Sequence, residues 1–157
     1  MPTVYGLEIL THIRLIERVT RHVDETFFEH VGQWAQLNSD GSLSNVVAGS
    51  PALINKMVIN SRRQSKYESH DSSLGRITTM ESIGVRCVVP QACFAGTINL
   101  GDRLMVSVSV GDTGKLVSAE EYAVSGTYEV VARCEQISTT EGWMLFKTSS
   151  PSMVTII

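Results

Sequence analysis

The sequence lacks an excess of charge of either sign. Its 157 residues include 13 Lys and Arg against 16 Asp and Glu, which gives a formal net charge of -3. Binding to a phosphate backbone through counterion release requires a clustered excess of cations. We therefore expect no direct partnership with nucleic acid, and the length corresponds to one ordinary domain.

Long hydrophobic runs are also missing. No apolar stretch approaches the ~20 residues that a membrane-spanning helix needs. The opening residues MPTVYGLEIL do not combine a basic region, a long apolar core and a small-residue cleavage site, as a secretory signal would. We expect no contact with a membrane and no export from the compartment of synthesis.

Cysteine is scarce, and the familiar catalytic and metal-binding patterns are absent. Cys87, Cys93 and Cys134 are an odd number with no CxxC pair, which predicts reduced, buried thiols. The four histidines form no HExxH, the glycines form neither GxGxxG nor GxxxxGK, and no serine stands in GxSxG. The sequence therefore predicts no catalytic, metal or cofactor-binding residues, and we expect a protein that is not an enzyme.

Residues that favour strands are abundant. The chain has 18 Val, 11 Ile and 13 Thr but only 8 Ala and 11 Leu, and β-branched side chains suit pleated sheets better than helix interiors. About ten short strands, separated by turn signals every 8 to 12 residues, argue against alternating βαβ units. We predict a mostly β, single-domain antiparallel β-barrel or β-sandwich.

Several hairpins can be placed from local patterns. Asp40-Gly41 between apolar runs is a strong hairpin signal, and Leu104–Val110 alternates so that Leu104, Val106, Val108 and Val110 are predicted to face the core. Thr127–Ile137 and Trp143–Lys147 form a further hairpin across a polar turn. Val154–Ile157 is predicted to be a separate closing strand.

The N-terminal segment differs from the remainder of the chain in the spacing of its apolar residues. Apolar residues at Leu10, Ile13 and Ile16 follow helical steps, whereas Thr11, Ile13 and Leu15 alternate as in a strand. We predict that residues 1–26 form an extended arm or a short amphipathic helix, and that residues 27–157 form the β-domain.

A long polar loop is predicted between residues 60 and 74, where loops of such length are usually functional or disordered. It contains a local basic cluster, Arg62, Arg63 and Lys66, beside the aromatic Tyr67. A solvated loop, a contact with an acidic protein surface and, least favoured, a nucleic-acid contact are the alternatives.

Three stretches carry a resemblance to a known family. They are FFEHVGQWAQLNSDGSL, GRITTMESIGVRCVV and GDRLMVSVSVGDTGKLVSAEEYAVSGTYEVVA. In this order they resemble the small decoration, or cement, proteins on the capsids of tailed bacteriophages. The resemblance covers roughly residues 27 to 137. Each stretch by itself is a common hairpin sequence, so the specificity of the resemblance lies in the order of the three stretches.

This resemblance implies a structural virion protein, made in the host cytoplasm and located on the capsid surface. Its partner would be the major capsid protein, and it would be a homo-oligomer, either a trimer or a dimer, without catalytic residues. The candidate interface residues are Tyr5, Leu7, Ile9, Ile13 and Leu15 of the N-terminal segment and Arg62, Arg63, Lys66 and Tyr67 of the basic loop.

Three alternatives remain open at this point. The N-terminal apolar residues could pack on the chain's own β-core instead of reaching a neighbour. The protein could be a β-domain of a phage tail or baseplate. A small β-barrel enzyme is the least favoured reading, and it would require a concave pocket with convergent polar groups.

Overall fold

The computed structural model describes residues 7–12, 15–23, 31–50, 54–60 and 76–157. The prediction of a mostly β, antiparallel single domain is confirmed, because the strands of these residues form two antiparallel sheets. No closed barrel is present among them, so the architecture resembles a β-sandwich. None of the described helical segments is long and apolar enough to cross a membrane.

Six strands form the larger sheet. They are β1 (Glu8–Ile9), β7 (Arg86–Pro90), β8 (Arg103–Val106), β9 (Leu116–Ser118), β10 (Gly126–Ser138) and β11 (Trp143–Ile156). Their spatial order is β1-β7-β11-β10-β8-β9, and a 3₁₀ turn at Gln91–Cys93 follows β7 directly.

Five strands form the smaller sheet. They are β2 (Arg18–His22), β3 (Trp34–Leu37), β4 (Leu43–Ser44), β5 (Asn55–Asn60) and β6 (Arg76–Met80), in the spatial order β2-β6-β5-β3-β4. The two edges of this sheet approach each other, since Val23, just after β2, makes a single bridge to Leu43 of β4. The sheet is therefore strongly curled without closing into a barrel.

The smaller sheet buries apolar side chains on both of its faces. Trp34 pairs with Met57 and Met57 with Met80, and this row joins the main core shared with the larger sheet. Because side chains alternate along a strand, the neighbouring residues point the other way. They form a second, smaller core of Val23, Ala35, Leu43, Val58 and Ile77.

A close backbone approach joins the smaller sheet to the β8–β9 connection. The Trp34 N–H donates to the Gly114 carbonyl oxygen at 2.8 Å. Gly114 has φ +82°, and a Cβ at this position would lie 2.7 Å from the Trp34 carbonyl oxygen. Only glycine has both the conformation and the space required here.

The long hairpin β10–β11 forms the centre of the larger sheet. The predicted hairpin is confirmed, and the strand predicted at Val154–Ile157 is the continuation of β11 rather than a separate element. Pro151 is tolerated inside β11 because the ladder is irregular there, passing from Val130–Ser152 directly to Ala132–Thr148.

One core assignment in β8 was wrong. Leu104, Val106 and Val108 are buried as predicted, but Val110 is 88% exposed. The reason is that β8 ends at Val106 and the chain then enters a turn. Alternation in sequence continued beyond the point where the backbone stopped being a strand.

The three thiols behave as predicted from their number and spacing. Cys87, Cys93 and Cys134 are all free and buried. Burial raises the pKa of Cys87 to about 12 and that of Cys93 to about 11, and it also raises the pKa of Cys134. These side chains act as small apolar residues of the core.

The approach at Gly114 predicts a difference between two glycine substitutions. Gly111→Ala meets only the strain of a positive φ (+85°), with nothing within 4 Å of the new Cβ, and should cost about 1–2 kcal/mol. Gly114→Ala adds a collision with the Trp34 backbone and should lower the melting temperature clearly more. Thermal unfolding of both variants, followed by circular dichroism, tests this, and equal destabilisation would contradict the importance of the contact.

Candidate functional site

The described members of the predicted interface set lie in different environments. Leu7 and Ile9 are partly buried and pack against the main core, whereas Leu15 is 72% exposed. The other members, Tyr5, Ile13, Arg62, Arg63, Lys66 and Tyr67, lie outside the described residues. Leu15 is therefore the member of this set whose description fits a surface contact best.

The N-terminal segment contributes a strand to each sheet. In β1, Glu8 pairs with Val88 and Ile9 with Cys87 of β7, while β2 pairs along its whole length with β6. Leu7 and Ile9 thus correspond to the alternative in which the segment packs on the chain's own core. The described part of residues 1–26 is integrated into the β-structure.

A charged network fixes β2 to the smaller sheet. The Glu81 carboxylate accepts from Arg21 Nη2 and from Lys56 Nζ, both at 2.6 Å, and from Thr79 Oγ1 at 3.1 Å. Burial by itself raises the pKa of Glu81, but the bonds from Arg21 and Lys56 outweigh it and lower that pKa below its usual value. The network joins β2, β5 and β6.

A small polar cavity of about 50 Å³ lies where the smaller sheet meets β10 and β11. Glu129 in its wall is 8% exposed, and burial raises the pKa of this carboxyl group although the Asn55 N–H donates to it at 3.3 Å. Trp34 also lines this cavity, and its buried Nε1 has no hydrogen-bond partner among the described residues.

The size of this cavity limits its chemistry. Ligand pockets usually enclose ~300–1,000 Å³, whereas a buried water needs only ~10–15 Å³ and two to four polar partners. The space is suitable for a few water molecules between Trp34 and Glu129.

A wider depression of about 350 Å³ opens on the surface beside this cavity. Ile83, 58% exposed, lies in its wall with Arg133, Glu135 and Lys147. An exposed apolar side chain among charged neighbours is a common composition for a protein contact. Sequence reasoning missed Ile83 because it stands in the short polar connection between β6 and β7.

The described residues contain no group of three or more His, Cys, Asp or Glu side chains that could hold a metal ion. Several carboxylates of the described residues are paired with Arg or Lys, as in Arg86–Glu135 and Arg103–Glu120.

No protein-family model matches the chain, and a search of the curated proteins finds no match.

Two isosteric substitutions should act in opposite directions on stability. Glu81→Gln removes a carboxylate whose folded pKa is lowered, and it should destabilise the protein at pH 7 by about 1–3 kcal/mol. Glu129→Gln removes a carboxyl group whose folded pKa is raised, so that ionisation opposes folding, and it should stabilise the protein at pH 7.

The pH dependence has a definite sign for each group. The contribution of Glu81 is present above its unfolded pKa and is lost as the pH falls through its lower folded pKa. The contribution of Glu129 is present below its unfolded pKa and is lost as the pH rises through its higher folded pKa. Denaturant unfolding from pH 3 to pH 8, a range that spans the pKa of ~4.3 of a free Glu side chain, checks both, and a destabilised Glu129→Gln at pH 7 would contradict this account.

Proposed function

We propose that this chain is a capsid decoration protein, which binds the outer surface of a bacteriophage shell and stabilises it by bridging neighbouring capsid subunits. The proposal concerns adhesion and involves no reaction. Its partner is the major capsid protein, and its location is the surface of the virion.

One observation carries the proposal: the first and the third of the three stretches that resemble decoration proteins meet in space. Gly32-Gln33-Trp34 and Asp112-Thr113-Gly114-Lys115 are about 80 positions apart in the sequence, yet the Trp34 N–H bonds to the Gly114 carbonyl. The phrases thus form one structural unit. This supports reading their order as a property of a fold rather than as unrelated hairpins.

The polar residues of the third phrase also have structural partners. Asp102 Oδ2 accepts from the Asn99 N–H at 2.9 Å and from Ser118 Oγ at 2.7 Å, and Arg103 Nε donates to Glu120 Oε1 at 2.7 Å. These bonds hold β8 and β9 at a fixed spacing. They connect Asp102 and Arg103 at the start of β8 with Ser118 and Glu120 at and just after the end of β9.

The described surface is compatible with adhesion. A cement protein needs a rigid core and apolar anchors that become buried on docking, and Leu15 and Ile83 are exposed apolar side chains of this kind. Weak individual contacts are sufficient, because many copies on one shell multiply the effect of each.

Stoichiometry provides the primary test. Purified particles should contain the chain in hundreds of copies if it decorates the shell, whereas a tail or baseplate component would be present in a handful. Quantitative mass spectrometry against the major capsid protein measures the ratio. Particles that lack the chain should also release their DNA at a lower temperature, and unchanged heat resistance would contradict the role.

A matched pair of variants tests the contact at Leu15. Leu15→Glu should weaken binding to undecorated capsids at least tenfold, because a charge would be placed in the predicted apolar contact. Val47→Glu places the same charge at another exposed aliphatic position, 58% exposed, that is outside the predicted interface, and it should bind normally. Cosedimentation with capsids measures both, and equal binding by the two variants would remove Leu15 from the interface.

A further inference from the structure

The second half of β11 presents an open edge. Ser152–Ile156 pairs on one side with Gly126–Val130 of β10. On its other side β7 accompanies β11 only at Trp143–Lys147, with two further backbone bonds at Thr148. Within the described ranges, no strand pairs with the outer edge beyond that point.

This edge lacks the usual protection against pairing. Natural edge strands commonly carry Lys or another charge that prevents association, but the chain has no charged residue from Thr148 to Ile157. Pro151 and the irregular register next to it block pairing at one end only. Five consecutive residues, from Ser152 to Ile156, remain able to pair.

The side chains of this segment divide between two faces. Val154 and Ile156 are partly buried against the main core, so they hold the strand in place. Met153 is 53% exposed and Thr155 is also exposed. The backbone edge is thus kept in a fixed, extended shape while its outer face stays accessible.

We propose that this edge pairs antiparallel with the same edge of a second copy of the chain, forming a two-fold symmetric dimer. An uncharged edge meets its own copy without like-charge repulsion, and an antiparallel pair about a two-fold axis is self-complementary. Met153 of one copy then lies on the same face as Met153 of the other, close to the axis. The inference is independent of the proposed capsid role.

The association is expected to be weak. Two edges of five residues bury much less than the ~1,200–2,000 Å² of a standard stable interface. The dimer should therefore form reversibly at high concentration, between about 10 µM and about 1 mM. On a surface that already holds many copies, the same contact would be strengthened by the high local concentration.

Sedimentation velocity across this concentration range tests the proposal on the full chain. The wild-type protein should shift from monomer to dimer, and Met153→Lys and Met153→Glu should each remain monomeric. An equimolar mixture of the two variants should regain association, since opposite charges at position 153 are then diagonal neighbours across the axis, within reach of long side chains. Val110→Lys, at another exposed site, should dimerise like the wild type.

Each result supports or overturns the proposed pairing of β11 with a second copy of the chain. Circular dichroism confirms that the variants are folded, as expected for substitutions at an exposed side chain. A wild-type protein that stays monomeric at every concentration would overturn the proposal and leave the edge to an extended segment of a different protein. Dimerisation that survives in Met153→Lys would place the interface elsewhere. Capsid binding measured in parallel separates failure of this inference from failure of the proposed function.

Discussion

The structure depends on a smaller sheet that has to bury both of its faces. One face supplies Trp34, Met57 and Met80 to the main core, and the other carries the separate core around Leu43 and Ile77. A shift of one residue would move Trp34, Met57 and Met80 out of the main core and into the smaller one. The packing of both faces therefore determines the register of this sheet. The contact between Trp34 and Gly114 and the carboxylate of Glu81 therefore fix a register on which both cores rely.

Two carboxyl groups between the sheets respond to burial in opposite ways. Glu81 is held as an ion by two cations, whereas Glu129 is buried, accepts hydrogen bonds from Asn55 and has a raised pKa. Both lie close to Lys56, on the strand that separates the two cores. A single lysine is thus associated with one carboxylate that favours the fold in its charged form and another that favours it when protonated.

Local patterns in the sequence were sufficient for much of the fold. Asp40-Gly41 places the β3–β4 hairpin, in which Leu37 pairs with Leu43, and the polar turn before Trp143 places the β10–β11 hairpin. Both depend on residues close together in the chain. The class, the hairpins and the buried thiols follow from composition and short-range spacing.

Features that depend on distant residues could not be predicted. Glu129 occupies an ordinary strand position, and it is buried where it accepts a hydrogen bond from Asn55, 74 positions away. Pairing of β2 with β6 likewise joins residues about 60 positions apart, so a segment with ambiguous periodicity was predicted as an arm or a helix. Of the predicted contact residues, only Leu7, Ile9 and Leu15 lie in the described part of the chain, and the first two contact its own core.

The buried thiols have a practical consequence for chemical labelling. The thiolate is the reactive species toward maleimides and iodoacetamides, and with a pKa of about 12 and about 11, Cys87 and Cys93 remain protonated at neutral pH. A cysteine introduced on the surface would consequently be modified in the presence of the native ones. Fluorophores or gold clusters could be attached at a single chosen position of the folded protein without first removing its own cysteines.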